Sequence, residues 1–558
     1  MKFGRNESCI RQFAMMKLIF IMCSLAQISL AFLTPVLPRH LLDLSSLRRP
    51  PLPHICTHRM RPETLAMSPL HSTYPPAFLP DGFIIDGSPN SREEKGKFQE
   101  RKAPKEKIRV TSVQQLKNLI RTGYRLRDFR IEGDTKVQNA PIHPAVKALY
   151  DRKKSNSEPG QRTDGKRIAL AIEGGGMRGC VSAGMVTAVW YLGLKDSIDV
   201  VYGSSAGSLI GAYFISGQLP HFGPEIYYDV LTTAGNEFID KKSIMRSVGL
   251  GALDLRVDSV KGMYRNRMGR PVLNLNYLLE TVIQTIKPLD WNSFYEQQVS
   301  KRQELKIVAS ALLSQKAVVM STKDNNFRNI QELGECMKAS MLLPGVTGEV
   351  IRLKGSQIVD DNQMEKTWWP EWSKDRRTKH SYQPGSEPLV DSQLFQPIPY
   401  RAALDEGCTH VITLRTVADG KSVVKKVGLM ERLIMYRFFQ RKLKMPNILS
   451  WMLNQMHKLV YAEDILFLNE ANRKFDENSA EPKVFCIALP EGTSEVKRFE
   501  TSRKVIFESV REGFAAAYDA LVIDPEMRGK GAEVARHVYP DSIMDQMPAH
   551  LLQQSDLH

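Results

Sequence analysis

The sequence has few cysteines, and none of them has the spacing of a metal site. Its seven cysteines are Cys9, Cys23, Cys56, Cys180, Cys336, Cys408 and Cys486. An odd number without C-x-x-C spacing argues against a structural zinc module. We therefore predict that the last four are small buried residues in a reducing compartment and that the protein holds no metal.

Nucleic-acid-binding patterns are also missing, although the chain is basic. Its net charge is +16, and 42% of its 558 residues are hydrophobic. Such a charge favours an anionic partner, either nucleic acid or an anionic membrane surface. Zinc-finger spacing is absent, and so are strands in which aromatic residues alternate with arginine. We therefore expect no nucleic-acid partner and favour the membrane surface.

Long hydrophobic runs are absent as well. Three basic residues precede an apolar run from Met15 to Ala31, which is broken by Lys17 and ends in small residues. The run is short for a membrane span, and its order of basic, apolar and small residues is typical of a signal peptide. We predict a signal peptide over residues 1–31.

Acidic residues are scarce in the next segment. Between Phe32 and Pro80 only Asp43 and Glu63 are acidic, and Arg, Ser and Pro are abundant, as in transit peptides. A signal peptide followed directly by phenylalanine resembles the bipartite presequence of proteins imported into secondary plastids. Simple secretion and a signal anchor are the alternatives, and residues 32–105 are predicted to be disordered.

Beyond this region, apolar strand patterns alternate with helical ones. The predicted strands are RIALAIE, DVVYG, LKIVASA, KAVVMS, THVITL and KVFCIAL. This alternation indicates an α/β sandwich with a mostly parallel central sheet. The segment TSVQQLKNLI, with an N-cap Ser or Thr, predicts a helix that precedes the sheet.

A glycine-rich turn follows the first of these strands. Gly174, Gly176 and Gly179 fit G-x-G-x-x-G, which raises a dinucleotide-binding fold as a hypothesis. That fold requires an acidic residue at the end of the second strand. Here Asp199 precedes that strand and Ser205 follows it, so the pattern disfavours a dinucleotide site.

The second strand ends in a G-x-S-x-G sequence, Gly203 to Gly207, which places Ser205 before a helix. Such a turn exposes the serine hydroxyl at a sharp corner where only glycine fits on either side. A serine nucleophile needs a base and N–H donors for its oxyanion, and the first glycine loop can supply those donors. The two turns together predict a serine hydrolase.

Four segments in order resemble the signatures of patatin-like phospholipases: GGGMRG, GSSAG, ASMLLPG (339–345) and LVDSQLFQPIPYRAAL (389–404). The resemblance implies a three-layer α/β/α patatin-like sandwich and a Ser-Asp dyad, with Ser205 as nucleophile and Asp391 as base. It assigns the oxyanion loop to Gly174, Gly175, Gly176, Met177, Arg178 and Gly179. It assigns the turn around the nucleophile to Gly203, Ser204, Ala206 and Gly207.

Two positions depart from the family pattern. Glu173 replaces the usual Asp before the glycines, and Ser392-Gln393 replaces the small pair after Asp391. The second change makes Asp360 or Asp361 an alternative base. Two histidines are candidates for a full triad. We predict that His410 is a core or edge histidine and that His457 is solvated, so neither is expected to act.

The resemblance also divides the chain. The predicted units are a signal peptide at 1–31, a transit-like segment at 32–105, a helical lead-in at 106–165, a catalytic domain at 166–415 with an insertion at 358–388, a C-terminal extension at 416–525 and a tail at 526–558.

The implied function is hydrolysis of carboxylic esters in membrane glycerolipids, as a phospholipase A or a galactolipase. No cofactor is implied, and no cluster of oxygen ligands for calcium is found. Segment 421–458 has nine Lys or Arg against one acid, Glu431, and predicts peripheral contact with an anionic membrane. Its apolar residues could instead pack on the core. The competing hypothesis is a lipid-binding or regulatory protein that has lost catalysis.

Overall fold

The structure is a computed structural model. It describes residues 104, 106–135, 142–240, 271–300, 302–348, 350–353, 387–424, 427–476, 479–548 and 550–551. The predicted signal peptide, almost all of the transit-like segment, and the predicted insertion apart from residues 387 and 388 lie outside these ranges, as do Asp360 and Asp361.

All six predicted strands are present, and three further short strands accompany them. The strands are β1 (Ile108–Arg109), β2 (Phe129–Arg130), β3 (Ile168–Ile172), β4 (Val200–Ser204), β5 (Glu304–Ala311), β6 (Lys316–Met320), β7 (Leu389–Val390), β8 (His410–Leu414) and β9 (Lys483–Ile487). In the described chain, β1 and β2 form a separate parallel pair. The other strands form the central sheet.

The central sheet has the order β6-β5-β4-β3-β8-β9, and β7 pairs with the end of β5. Strands β5, β4, β3, β8 and β9 run parallel, whereas β6 and β7 are antiparallel to β5. Strands β3 and β4 are buried along their whole length. This is why they are continuous apolar runs, since a parallel sheet is covered on both faces.

The described helices cover both faces and the ends of the sheet. They are α1 (Val113–Arg121), α2 (Pro144–Lys154), α3 (Gly179–Tyr191), α4 (Ala206–Ile215), α5 (Phe222–Glu225), α6 (Trp291–Val299), α7 (Ile330–Met341), α8 (Tyr400–Asp405), α9 (Leu429–Met435), α10 (Pro446–Leu453), α11 (Met456–Arg473), α12 (Arg503–Leu521), α13 (Gly531–Val538) and α14 (Ser542–Asp545), with π-helical turns at Ile226–Leu231, Tyr277–Ile286 and Tyr436–Lys442. Helix α1 confirms the predicted helix before the sheet. None of these helices has both the length and the apolar character needed to cross a bilayer.

Alternate residues of β3 enter two different cores, which defines three layers. Ile168, Leu170 and Ile172 pack into the core that contains α3, α4 and α12. Ala169 and Ala171 pack into the core that contains residues of α8 and α11. The period of two is the expected geometry of a strand buried on both sides. The fold is thus the predicted three-layer α/β/α sandwich.

Helices α3 and α12 touch through glycine. A Cβ added at Gly184 would lie 2.0 Å from the Val510 carbonyl oxygen, and one at Gly513 would lie 2.1 Å from the Val181 oxygen. Neither distance is possible for real atoms without movement of a backbone. The glycines therefore set how closely α12, which lies beyond the predicted catalytic domain, packs on the helix that follows the glycine loop.

We predict that Gly513→Ala lowers the free energy of unfolding by about 1–3 kcal/mol because the new methyl group forces the two helix backbones apart. Gly334→Ala in helix α7 is the matched control, since a Cβ at Gly334 would lie no closer than 3.6 Å to its nearest neighbour, the Leu279 carbonyl oxygen. The control should be neutral or stabilising by up to about 1 kcal/mol. Thermal or denaturant unfolding measures both, and equal effects would contradict the packing argument.

Candidate active site

Ser205 occupies a strained turn between β4 and α4. Its backbone has φ 51° and ψ −126°, a conformation that residues with a side chain rarely adopt. A Cβ at Gly203 would lie 2.4 Å from Ser208 Cα, and one at Gly207 would lie 2.2 Å from the Ile172 oxygen. Both flanking glycines are therefore required by close backbone packing, as the G-x-S-x-G pattern predicted.

Hydrogen bonds hold the strained residue on both sides. The Ser205 N–H donates to Ser340 Oγ at 2.7 Å, and Ser340 Oγ donates in turn to the Val308 carbonyl. The Ser205 carbonyl accepts from the N–H of Ser208 at 2.9 Å and from its Oγ at 2.7 Å. The ASMLLPG segment thus contributes Ser340 as a support for the serine turn.

The sheet register brings Asp391 to Ser205. Strand β4 is parallel to β5, and its last residue Ser204 pairs with Val308. Strand β7 is antiparallel to β5 and pairs Val390 with Ser310. The two strands approach each other along the same edge of β5, so the residue that follows each one meets the other. Strand β7 has only two residues, and the apolar pattern of the sequence did not predict it.

Ser205 and Asp391 form a direct hydrogen bond. Ser205 Oγ lies 2.9 Å from Asp391 Oδ2, and Asp391 Oδ1 accepts the Gln393 N–H at 2.8 Å. Asp391 is only 4% exposed. Burial raises the pKa of its carboxyl, although the Gln393 N–H, the Ser205 hydroxyl and the charge of Arg498 partly oppose the shift. A carboxylate with a raised pKa is a better proton acceptor than an exposed one.

The larger Ser392-Gln393 pair fits without glycine. Ser392–Leu394 forms a 3₁₀ turn, and neither Ser392 nor Gln393 has a positive φ. The Gln393 side chain contacts a neighbouring segment, since its Oε1 accepts a hydrogen bond from Arg498 Nη1 at 2.5 Å. The departure from the family pattern therefore leaves the Ser205–Asp391 contact intact.

The glycine loop lies directly against the serine turn. A Cβ at Gly174 would lie 2.3 Å from the Ser204 oxygen and 2.6 Å from Ser205 Cβ. Gly175 and Gly176 have φ values of 153° and 62°. Only glycine combines such backbone angles with such close approach, which explains the run of three glycines in structural terms.

Three N–H groups of the predicted oxyanion loop have acceptors within the protein. The Met177 N–H donates to the Arg498 carbonyl at 3.1 Å, and the Arg178 N–H donates to the Gly175 carbonyl at 3.3 Å. The Gly179 N–H donates to the carbonyls of Gly176 and Met177. These three N–H groups of the prediction are already engaged within the loop and its neighbour.

The donors that fit the oxyanion role are the N–H groups of Gly174, Gly175 and Gly176. Ala206 adds another, because it begins α4, where the first N–H groups have no acceptor within the helix. A Cβ on Gly174 would lie 2.9 Å from Ala206 N, so the two sources of donors are adjacent. The family resemblance assigns Ala206 only to the turn around the nucleophile. Its position immediately after the nucleophile is the signal that identifies it as a donor.

Glu173 links the glycine loop to two neighbouring segments. Its Oε2 accepts from the Thr416 N–H at 2.6 Å and from Thr416 Oγ1 at 3.1 Å. Its Oε1 accepts from the Tyr461 hydroxyl at 2.8 Å. Burial and the charge of Glu173 raise the pKa of that tyrosine. The longer Glu side chain thus ties the glycine loop to the end of β8 and to α11.

Arg178 forms an internal ion pair. Its Nη2 lies 2.6 Å from Glu495 Oε1, and its Nε donates to the Val496 carbonyl at 3.1 Å. The side chain is 9% exposed. The Arg178 side chain is therefore engaged in contacts within the protein.

Neither histidine completes a triad among the described residues. His410 begins β8, so it lies at the opposite end of the parallel strands from Ser205, and its Nδ1 is 2.9 Å from Thr409 Oγ1. The prediction that His457 is solvated is wrong. It is 4% exposed because α11 packs on the core, and burial lowers its pKa to about 3. It lines the same cavity as Ser205, and no hydrogen bond joins it to the dyad in the described structure.

A cavity of about 420 Å³ opens onto the dyad. Its apolar lining includes Met177, Leu209, Leu231, Phe238, Leu273, Leu275, Leu278 and Met341. Its charged lining includes Lys421, Glu431, Lys458, Glu495 and Arg498. The volume and the mixture of many apolar groups with a few polar ones are typical of a small-molecule or lipid site.

In the part of the chain that the structure describes, no cluster of His, Cys, Asp and Glu could hold a metal ion.

The basic segment 421–458 has two kinds of apolar residue. Phe438, Phe439, Leu449, Trp451 and Met452 are buried in a core that also contains Val390 and Leu394. By contrast, Leu429, Leu433, Tyr436 and Leu453 are 74%, 43%, 45% and 39% exposed. The segment therefore packs on the protein and also presents an apolar surface.

Solved structures of low sequence identity are similar to this chain. VipD from Legionella pneumophila is similar over 70% of this chain and 70% of its own, with 14% identity and a TM-score of 0.29. Human GIVD cytosolic phospholipase A2 in complex with methyl gamma-linolenyl fluorophosphonate is similar over 71% of this chain and 63% of its own, with 11% identity and a TM-score of 0.31. No curated protein matches the sequence.

The family assignment comes from the sequence itself. Residues 170–404 match the Patatin-like phospholipase family, a range that contains the glycine loop, Ser205 and Asp391. This match supports lipid hydrolase activity. Residues 170–404 are therefore identified as a patatin-like phospholipase domain.

Proposed function

We propose that this protein is a serine hydrolase that cleaves carboxylic esters of membrane glycerolipids through an acyl-serine intermediate. The observation that carries the proposal is the 2.9 Å hydrogen bond from Ser205 Oγ to the buried Asp391 carboxylate. The family match supports a lipid substrate. The alternative is a catalytically impaired scaffold, and it was suggested by the unusual pair Ser392-Gln393. The contact between Ser205 and Asp391 is intact beside that pair, which disfavours the alternative.

In the first half-reaction, Asp391 takes the proton of Ser205 as Oγ bonds to the ester carbonyl carbon. The negative oxygen faces the N–H groups of the glycine loop and of Ala206, each of which can contribute about 100- to 1,000-fold in rate. When the intermediate collapses, the C–O bond to the glycerol breaks and the leaving alcohol takes the proton from Asp391. Ser205 then carries the acyl group.

In the second half-reaction, Asp391 takes a proton from water as the water oxygen attacks the acyl-serine. Collapse breaks the bond between the acyl carbon and Ser205 Oγ, and the serine recovers its proton. A free fatty acid leaves. The apolar lining around Leu275 and Leu278 is suited to the acyl chain, because it removes that chain from water.

We further propose that the exposed face of α9 rests on an anionic membrane surface. Leu429, Leu433 and Tyr436 recur at helical spacing and are all exposed. Exposed arginines accompany them, and Arg441 lies over the Tyr436 ring at 5.7 Å. Glu431 of the same helix lines the cavity. A membrane bound to this face would therefore lie close to the cavity.

We predict that Ser205→Ala and Asp391→Asn each lower kcat on a diacyl glycerolipid by at least about 1,000-fold, because the dyad acts as a unit. A fluorophosphonate probe should label the wild-type protein and fail to label Ser205→Ala. The matched control is Ser216→Ala at the C-terminal end of α4, which should keep both activity and labelling. Labelling that persists in Ser205→Ala would contradict the assignment of the nucleophile.

The acid limb of the pH profile should report Asp391. The base works ionised and burial raises its pKa, so kcat/KM should fall as the pH drops through a value above the ordinary range of Asp. The buried ionised form also costs stability at neutral pH, so Asp391→Asn should melt at the same or a higher temperature at pH 7. An acid limb at the usual pKa of Asp, or a large loss of stability, would count against this account.

Membrane contact predicts that Leu433→Ser weakens binding to vesicles containing phosphatidylglycerol by about tenfold, with little change in the hydrolysis of a soluble ester. Val505→Ser is the matched control, since the two side chains are 43% and 42% exposed. Co-sedimentation at low and high salt measures the effect. Equal binding by both variants would remove α9 from the proposed membrane face.

A further inference from the structure

Residues beyond the family match complete the cavity. Segment 495–499 crosses the glycine loop, where the Arg498 carbonyl accepts the Met177 N–H at 3.1 Å. A Cβ at Gly176 would lie 2.9 Å from that same carbonyl oxygen. Together with the Glu495–Arg178 ion pair at 2.6 Å, these contacts fix segment 495–499 beside the oxyanion loop.

The side chain of Arg498 is held over the active site. Its Nη1 donates to Gln393 Oε1 at 2.5 Å, and Gln393 is two residues from Asp391. A guanidinium has five N–H donors. Among the described residues, the acceptor found for the Arg498 guanidinium is Gln393 Oε1. Arg178, by contrast, is engaged by Glu495 and Val496. Arg498 can therefore donate further hydrogen bonds into the cavity that it lines.

Charges of both signs surround Arg498. The cavity lining contains the cations Arg178, Lys421 and Lys458 and the carboxylates Glu173, Asp391, Glu431 and Glu495, and Glu495 is paired with Arg178. Burial and the like charge of Arg178 lower the pKa of Arg498, and they outweigh the charges of Asp391 and Glu173, which raise it. The charged guanidinium is thus only partly compensated, and a bound anion would stabilise it.

We propose that Arg498, positioned by Gln393, binds the phosphate of a phospholipid head group while the acyl ester lies at Ser205. A guanidinium matches phosphate with two parallel hydrogen bonds, and an uncharged sugar offers no such charge. This inference rests on the proposed function and narrows it: the substrate is a phospholipid rather than a galactolipid. It also gives Gln393, the departure from the family pattern, a role.

The test compares two lipids with the same acyl chains, phosphatidylglycerol and monogalactosyldiacylglycerol, in micelles of a neutral detergent. The wild-type protein should prefer phosphatidylglycerol. Arg498→Gln should lower kcat/KM for phosphatidylglycerol by about 10- to 100-fold, mainly through KM, because a charge-assisted hydrogen bond is lost. Because the charge of Arg498 also lowers the pKa of Asp391, its loss can affect both lipids, so the readout is the ratio of the two kcat/KM values, which should fall about tenfold or more.

Two further variants separate head-group binding from folding. Arg498→Lys keeps the charge and should retain part of the preference for phosphatidylglycerol. Gln393→Ala keeps the guanidinium but removes its acceptor, so its loss should be intermediate. An equal loss on both lipids in Arg498→Gln would reduce Arg498 to a structural role and overturn the inference.

Free phosphate is the other possible source of the anion. If inorganic phosphate inhibits galactolipid hydrolysis through Arg498 while the protein shows no preference between the lipids, the head-group assignment is overturned. If neither lipid is hydrolysed in a Ser205-dependent manner, the proposed function itself is contradicted, and this inference with it.

Discussion

The hydrogen bond between Ser205 Oγ and the buried Asp391 carboxylate is the contact on which the rest of the site depends. It requires a strained serine turn, a carboxylate with a raised pKa, and two strands that meet along one edge of β5. Close backbone packing forms the turn, since only glycine fits at positions 203 and 207, burial raises the pKa, and the sheet register brings the two strands together. A dyad without histidine needs this precision because one carboxylate must serve as the base in both half-reactions.

Residues that follow the family match also support the active site. Tyr461 from α11 donates to Glu173 at 2.8 Å, and the Arg498 carbonyl accepts the Met177 N–H. Helix α12 packs on α3 through paired glycines. The glycine loop is thus held from both sides by residues that follow β8. This explains why a loop rich in glycine, which is flexible on its own, can present fixed N–H groups to a developing oxyanion.

Much of this could be predicted from the sequence, because the informative signals are local. Buried parallel strands are apolar runs, and glycine on both sides of Ser205 marks a turn that tolerates no side chain. The features that the sequence does not reveal are contacts between distant segments. The burial of His457 depends on how α11 packs, and the engagement of the Met177 N–H depends on Arg498, which is far away in sequence. No local pattern at either position encodes these contacts.

The central claim is that Ser205 carries the acyl group under the control of Asp391. Peptide mass spectrometry after rapid acid quench of the protein with a diacyl phospholipid tests it most directly. The account predicts an acyl adduct on the peptide that contains Ser205, and no detectable adduct in Asp391→Asn. Fatty-acid release without an adduct on Ser205, or an adduct on another residue, would contradict it.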